Sequence, residues 1–347
     1  MINLLSFSST TVILGLMLVL HLTACGDGTP NDPSADPAAA STTSTEDPKT
    51  LLGQLDQAIE QEPLNGDLYY QRAKLYYDRE SFDEAIADMA QAIQIDSVNA
   101  DFHHLLADIF LDYYKSRQAL MTMERAARLH PERIPTLLKL SEFQHILRQH
   151  DASFKTLDQI LKLDPQNAEA YFMMGLNLRE IDKENRAIDA FQTAVEIDPD
   201  LKDAWVLLGD LFSKQDNPIA LRYYDNAILL DSTSIDYIYA KANYLHQRGE
   251  LSEASELYRK ILRLDPQNAD AYYNMGLVYM EQDSLQRGAE HFELATQTDP
   301  LFVKAYFYRG LAAEEMGDLA AAKGFYEQTL KLQPDFERAR DALAALK

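Results

Sequence analysis

The chain has 347 residues, 46% of them apolar and 25% charged, and a formal net charge of −23. Such an excess of acid excludes nucleic acid as the main partner, because phosphate contacts need a basic surface. It equally excludes adhesion to anionic lipid by charge.

Residues 1–25 carry no charged side chain, and Val12–Leu20 is an unbroken apolar run. A bilayer span needs about 20 such residues. The shorter run fits the core of a secretory signal peptide instead. Leu22-Thr23-Ala24-Cys25 follows directly, and Cys25 is the single cysteine of the chain. This tetrad resembles the bacterial lipobox, although the segment before it has no Lys or Arg. The resemblance implies that residues 1–24 are removed and that the Cys25 thiol carries a diacylglycerol. The membrane would then be reached through the lipid anchor only. Gly26 stands where Asp favours inner-membrane retention, which implies the outer membrane in a host that has one. A lone thiol consumed by lipid leaves none for a disulfide.

Residues 25–48 are rich in Pro, Ser, Thr, Ala and Asp, with almost no large apolar residue. Such a stretch cannot bury a core and predicts a disordered tether, with an r.m.s. reach of roughly 25–30 Å. Residues 49–61 then read as one amphipathic helix, with Leu51, Leu55 and Ala58 on one side.

From residue 66 a pattern recurs every 34 residues, and a fixed period of this kind governs the reading of all that follows. Eight units are marked: 66–99, 100–133, 134–167, 168–201, 202–234, 235–268, 269–302 and 303–336. The fifth is one residue short, just before Pro218. Position 8 is always small: Ala73, Ala107, Ser141, Gly175, Gly209, Ala242, Gly276 and Gly310. So is position 20: Ala85, Ala119, Ser153, Ala187, Ala220, Ala254, Gly288 and Ala322. Two helices that cross closely leave no room for more. Position 24 is always large and apolar, from Met89 to Tyr326. Pro or Ser at position 32 stops one helix and sets the turn into the next. Asn99, Asn167 and Asn268 at position 34 read as N-caps. Arg72, Lys241 and Arg309 depart from the pattern at the normally apolar position 7, and read as buried stems with snorkelling heads.

The pattern W/Y-x-x-L-G-x-x-Y…A-x-x-x-F…P resembles the tetratricopeptide repeat family over residues 66–336. It implies an all-α fold: a right-handed α-solenoid of eight helical hairpins, with capping helices at 49–61 and 337–347. In such a stack each unit contacts only its neighbours, so length does not demand one large core. Ala339, Leu343 and Leu346 of the last segment would pack inward while Arg338, Arg340 and Lys347 face water. The family is an interaction scaffold, and fold alone does not select a function.

The sequence has no phosphate loop, no G-x-S-x-G and no H-E-x-x-H. His103 and His104 are adjacent and point to different faces of a helix. His145 and His150 are five apart and share a face poorly. We therefore expect no catalysis, no metal and no cofactor. In the family, positions 2, 5, 6, 9, 12 and 13 of the first helix line a concave groove. Position 5 here reads Tyr70, His104, Leu138, Phe172, Val206, Tyr239, Tyr273 and Phe307, an aromatic and apolar ridge. Positions 9 and 13 add acids, among them Asp108, Asp112, Glu142, Asp210 and Glu281. Such a groove would take an extended protein segment that carries apolar and some basic side chains.

Chaperone-binding members of the family hold a peptide carboxylate with Lys, Asn, Asn, Lys and Arg. Asn243, Asn274 and Lys304 match three of these, while Tyr239 and Tyr308 replace two cations. A true carboxylate clamp is therefore not expected, although the two Asn could hydrogen-bond a peptide backbone. The expected function is that of a membrane-anchored scaffold or assembly factor in the bacterial cell envelope. The alternatives are a self-associating structural protein and a non-catalytic adaptor that positions an envelope enzyme.

Overall fold

The computed structural model describes residues 48–346. The signal segment 1–24, Cys25 and most of the tether lie outside the described residues. The described part is one compact unit of eighteen α-helices without a strand among the described residues. It is the solenoid that the 34-residue period implies. Helix α1 (Pro48–Gln61) is the N-terminal cap. Eight hairpins follow, one per unit: α2 (Gly66–Tyr77) with α3 (Phe82–Ile95), α4 (Ala100–Asp112) with α5 (Ser116–Leu129), and α6 (Ile134–Ile146) with α7 (His150–Leu163). Next come α8 (Ala168–Glu180) with α9 (Glu184–Ile197), α10 (Lys202–Lys214) with α11 (Ala220–Leu230), and α12 (Ile235–Gln247) with α13 (Leu251–Leu264). The last are α14 (Ala269–Glu281) with α15 (Leu285–Thr298) and α16 (Val303–Glu315) with α17 (Leu319–Leu332). Helix α18 (Glu337–Ala345) closes the C-terminal end. None of the described helices is long and apolar enough to cross a membrane.

Every small residue at positions 8 and 20 is buried, and so is every large one at position 24. The two sets define each other. A Cβ added at Gly276 would lie 2.5 Å from Cε1 of Phe292, and the same distance separates Gly175 from Phe191, Gly209 from Tyr224 and Gly310 from Tyr326. Units 1 to 3 carry Ala or Ser at position 8 and a slimmer Met89, Met123 or Leu157 at position 24. Ring size and the missing methyl thus vary together, as close packing requires. Unit 6 departs, with Ala242 facing Tyr258.

The turn inside each hairpin has one fixed feature. Position 15 takes a left-handed conformation in all eight units: Glu80, Tyr114, Arg148, Asp182, Asp216, Gly249, Asp283 and Gly317, with φ from 50° to 84°. Only two of them are Gly, the residue that adopts this conformation without cost. Between hairpins, the Oδ1 atoms of Asn99, Asn167 and Asn268 accept from backbone N–H groups of α4, α8 and α14, as N-caps do. Helix α11 has 11 residues where the other second helices have 14. The missing residue of unit 5 has removed its first turn at Pro218, whose ring nitrogen cannot donate.

The caps pack as their spacing predicts. Leu55 and Ile59 of α1 are buried, and Ala339 of α18 is fully so. Arg338 is exposed along the last helix, but its guanidinium lies 4.7 Å from the Phe307 ring centroid, so it also covers the end of the stack.

Candidate functional site on the inner wall

First helices of successive units touch one another: α2 with α4, α4 with α6, α6 with α8 and α10 with α12. Second helices make no comparable contact among the described residues, so the first helices form the pinched, inner face. Hydrogen bonds run along it from unit to unit. Lys139 Nζ meets Asp108 Oδ1 at 2.8 Å. Nε2 of His104 lies 3.0 Å from Oγ1 of Thr136. Tyr77 donates to Asp112, and His246 Nε2 lies 3.2 Å from Glu281 Oε1.

The aromatic row at position 5 differs from the exposed ridge the sequence suggested. Phe172 and Phe307 are 7% and 3% exposed. Each packs its ring on position 24 of its own hairpin, Phe172 on Phe191 at 5.7 Å and Phe307 on Tyr326 at 5.7 Å. They are core, and an open ridge through them is corrected. Tyr70, His104, Tyr239 and Tyr273 are half-buried. Tyr273 sits among Phe292, Phe302 and Tyr308, with centroids 5.1–5.8 Å away. Burial raises the hydroxyl pKa of both Tyr239 and Tyr273. A helix of 3.6 residues per turn explains this: position 5, three residues before position 8, lies only about 60° from it on the helical wheel, on the side of the hairpin partner.

The polar candidates have internal partners. Asn274 Nδ2 donates to the Tyr239 hydroxyl and to the carbonyl of Asp270. Asn243 Oδ1 accepts from the Tyr258 hydroxyl at 2.8 Å. Asn274 thus ties unit 7 to unit 6, and Asn243 ties the two helices of unit 6 together, which their sequence positions did not reveal. Lys304 is exposed, near Asp270.

What the inner wall does present is part-buried acid. Burial raises the carboxyl pKa of Asp108, Glu142 and Asp210. Lys139 counters Asp108 and Glu142, and the Tyr224 hydroxyl donates to Asp210 at 2.8 Å. In units 2 and 3, Asp108 and Glu142 thus share one cation, while Asp112 accepts from Tyr77. Half-buried carboxylates in excess of cations favour a positively charged visitor.

The structure also joins residues that the sequence kept apart. The turn between α6 and α7 brings the His145 and His150 rings to 6.1 Å, beside Glu180 of the next unit. Their poor match on one helix face no longer matters, because they belong to two helices.

The chain carries tetratricopeptide repeats. Tetratricopeptide repeat families match residues 52–100, 168–201, 242–283, 269–300 and 303–336. The human Protein O-mannosyl-transferase TMTC1 is 29% identical over 106 residues, 28% of this chain and 12% of that protein. The matched stretch is therefore about an eighth of that relative. Two solved structures are similar. YrrB, described as a TPR protein with an unusual peptide-binding site, is 23% identical with a TM-score of 0.47 over 56% of this chain and 97% of its own. The APC/C hetero-tetramer Cut9-Hcn1 is 16% identical with a TM-score of 0.50, over 86% of this chain and 58% of its own. The last of these shares the fold.

Proposed function

We propose that this protein is a non-catalytic protein-binding scaffold of the bacterial cell envelope, held at a membrane by lipid on Cys25. The observation that carries the binding reading is the acid-rich inner wall of units 2 to 5, where Asp108, Glu142 and Asp210 are partly withdrawn from water. An extended segment with Lys or Arg side chains set between apolar ones is the ligand class that relieves this charge. The rings of Tyr70, Tyr239 and Tyr273 are half-buried, so they offer its apolar side chains separate patches and no continuous floor.

The anchor reading rests on the apolar run ending in Leu22-Thr23-Ala24-Cys25. Radiolabelled fatty acid should enter the wild-type chain and not Cys25→Ser. The binding reading is tested by calorimetry on the full chain with extended peptides of alternating apolar and Lys residues, against Glu-substituted counterparts. Only the cationic set should bind, more weakly at high salt, and Glu142→Gln with Asp210→Asn should weaken it several-fold. Equal binding of the acidic set would overturn the reading.

A further inference from the structure

The seam between units 3 and 4 carries a polar device that no other seam repeats. Position 10 of the first helix is Leu75, Ile109, Phe143, Leu211, Tyr244, Val278 or Ala312 in seven units, but Asn177 in the fourth. Asn177 is fully buried. A buried amide in an apolar position costs stability unless all of its bonds are made. Its Nδ2 donates to the carbonyl of Met173 at 2.8 Å and to Ser153 Oγ at 3.0 Å. Ser153 Oγ donates onward to the carbonyl of Ser141 at 3.1 Å. Ser141 and Ser153 are the small residues of unit 3 at positions 8 and 20, where other units carry Ala or Gly. The hydroxyl of Ser153 thus serves to orient a single amide, while Ser141 contributes its backbone carbonyl and turns its own hydroxyl to the carbonyl of Leu138.

The amide in turn orients a histidine. A carbonyl only accepts, so the atom of Asn177 facing Met173 must be the nitrogen, and Oδ1 faces the other way. Oδ1 lies 2.9 Å from Nδ1 of His150, which therefore carries the proton. That leaves Nε2, an acceptor whenever the ring is neutral, 3.4 Å from Oε2 of Glu180. His150 is the first residue of α7. Nδ1 of His145 is buried without a hydrogen-bond partner. One ligand atom from each of His145, His150 and Glu180 falls within 4.8 Å of the others.

We propose that His145, His150 and Glu180 bind one divalent transition-metal ion of the zinc class. Tetrahedral zinc with bonds of about 2.1 Å holds its ligand atoms about 3.4 Å apart, the separation that His150 and Glu180 already have. Glu180 and His145 close the set by side-chain rotation. His150 also lines a surface depression with Arg148, Gln149, Asp151 and Ile181, so water can reach the ion to complete the shell. Asn177 supplies the outer hydrogen bond that metal-binding histidines almost always make.

The test uses the untagged full chain, freed of metal with a chelator and titrated with Co²⁺ and then Zn²⁺. One Co²⁺ per chain should give the visible absorption of a tetrahedral N/O site, and one Zn²⁺ should displace it. His150→Ala and Glu180→Gln should each weaken binding at least tenfold, with circular dichroism unchanged. Asn177→Ser should weaken it by a smaller factor. His246→Ala, which breaks the two-member His246–Glu281 pair, should leave it intact. The proposal fails if the wild type binds no Co²⁺ at micromolar concentrations, or if the His150 and Glu180 variants bind it as the wild type does.

Discussion

Lys241 Nζ lies 2.5 Å from Asp225 Oδ1, sixteen residues earlier in the chain. The same step joins Arg72 to Asp56 at 2.7 Å and Arg309 to Glu293 at 3.4 Å. In each pair a cation at position 7 crosses the seam to an acid at position 25 of the unit before. The three departures from an apolar position are thus one inter-unit device. Arg72 does more: Nε and Nη2 also fork the Asp88 carboxylate at 2.7 and 2.6 Å, and Asp88 is 5% exposed.

Removing these cations should therefore have unequal effects. Arg72→Ala strands a buried carboxylate and should cost about 3–5 kcal/mol, while Lys241→Ala, facing a largely exposed Asp225, should cost less than about 1 kcal/mol. Urea unfolding measures both, and native-state hydrogen exchange should show α1 freed in the first variant only. Equal losses would show that the fork onto Asp88 adds nothing.

Gly276→Ala should destabilise by about 1–3 kcal/mol, the usual cost of overpacking, because its methyl would meet the Phe292 ring at 2.5 Å. Adding Phe292→Met should recover much of the loss, since Ala73 already sits with Met89 in unit 1. Thermal unfolding of the single and double variants checks this. A double variant worse than the sum would mean that ring and methyl are not the clashing pair.

Tyr114 holds φ at 57° with its side chain 94% exposed. Left-handed backbone costs a non-glycine residue about 1–2 kcal/mol, and glycine loses about 0.5–1 kcal/mol of that gain through chain entropy. Tyr114→Gly should therefore stabilise by about 0.5–1 kcal/mol, read as a rise in the denaturant midpoint. Loss of stability would show that the Tyr114 ring packs in solution.

His104 titrates at about 4, lowered from 6.5 chiefly by burial, with Lys139 and Arg133 adding to the effect. The unfolded chain then binds more protons between those values. Stability attributable to His104 is intact above about pH 6.5, falls as pH drops, and levels out below about 4. The slope is up to about 1.4 kcal/mol per pH unit. Raised carboxyls such as Asp108 and Glu142 contribute with the opposite sign, so the difference between wild type and His104→Gln isolates the histidine. A difference that does not change between pH 7 and pH 4.5 would refute this.

The hairpins, their order and their caps were legible in the sequence, because close helix crossings select residues by size and repeat at every seam. Ala73, Gly276, Phe292 and Asn268 announce their places without reference to any distant residue. The partners of Asn243 and Asn274 were not legible, nor was the burial of Phe172 and Phe307. Whether a side chain on the first helix faces the groove or its neighbour depends on how one hairpin is rotated on the next. The same rotation sets Glu180 against His150 and lets Asn177 orient it. The sequence by itself determined the stack, since local size rules suffice for it. Only the tertiary structure decided what the inner wall presents, because that follows from contacts between different helices, from Asn243 with Tyr258 to His150 with Glu180.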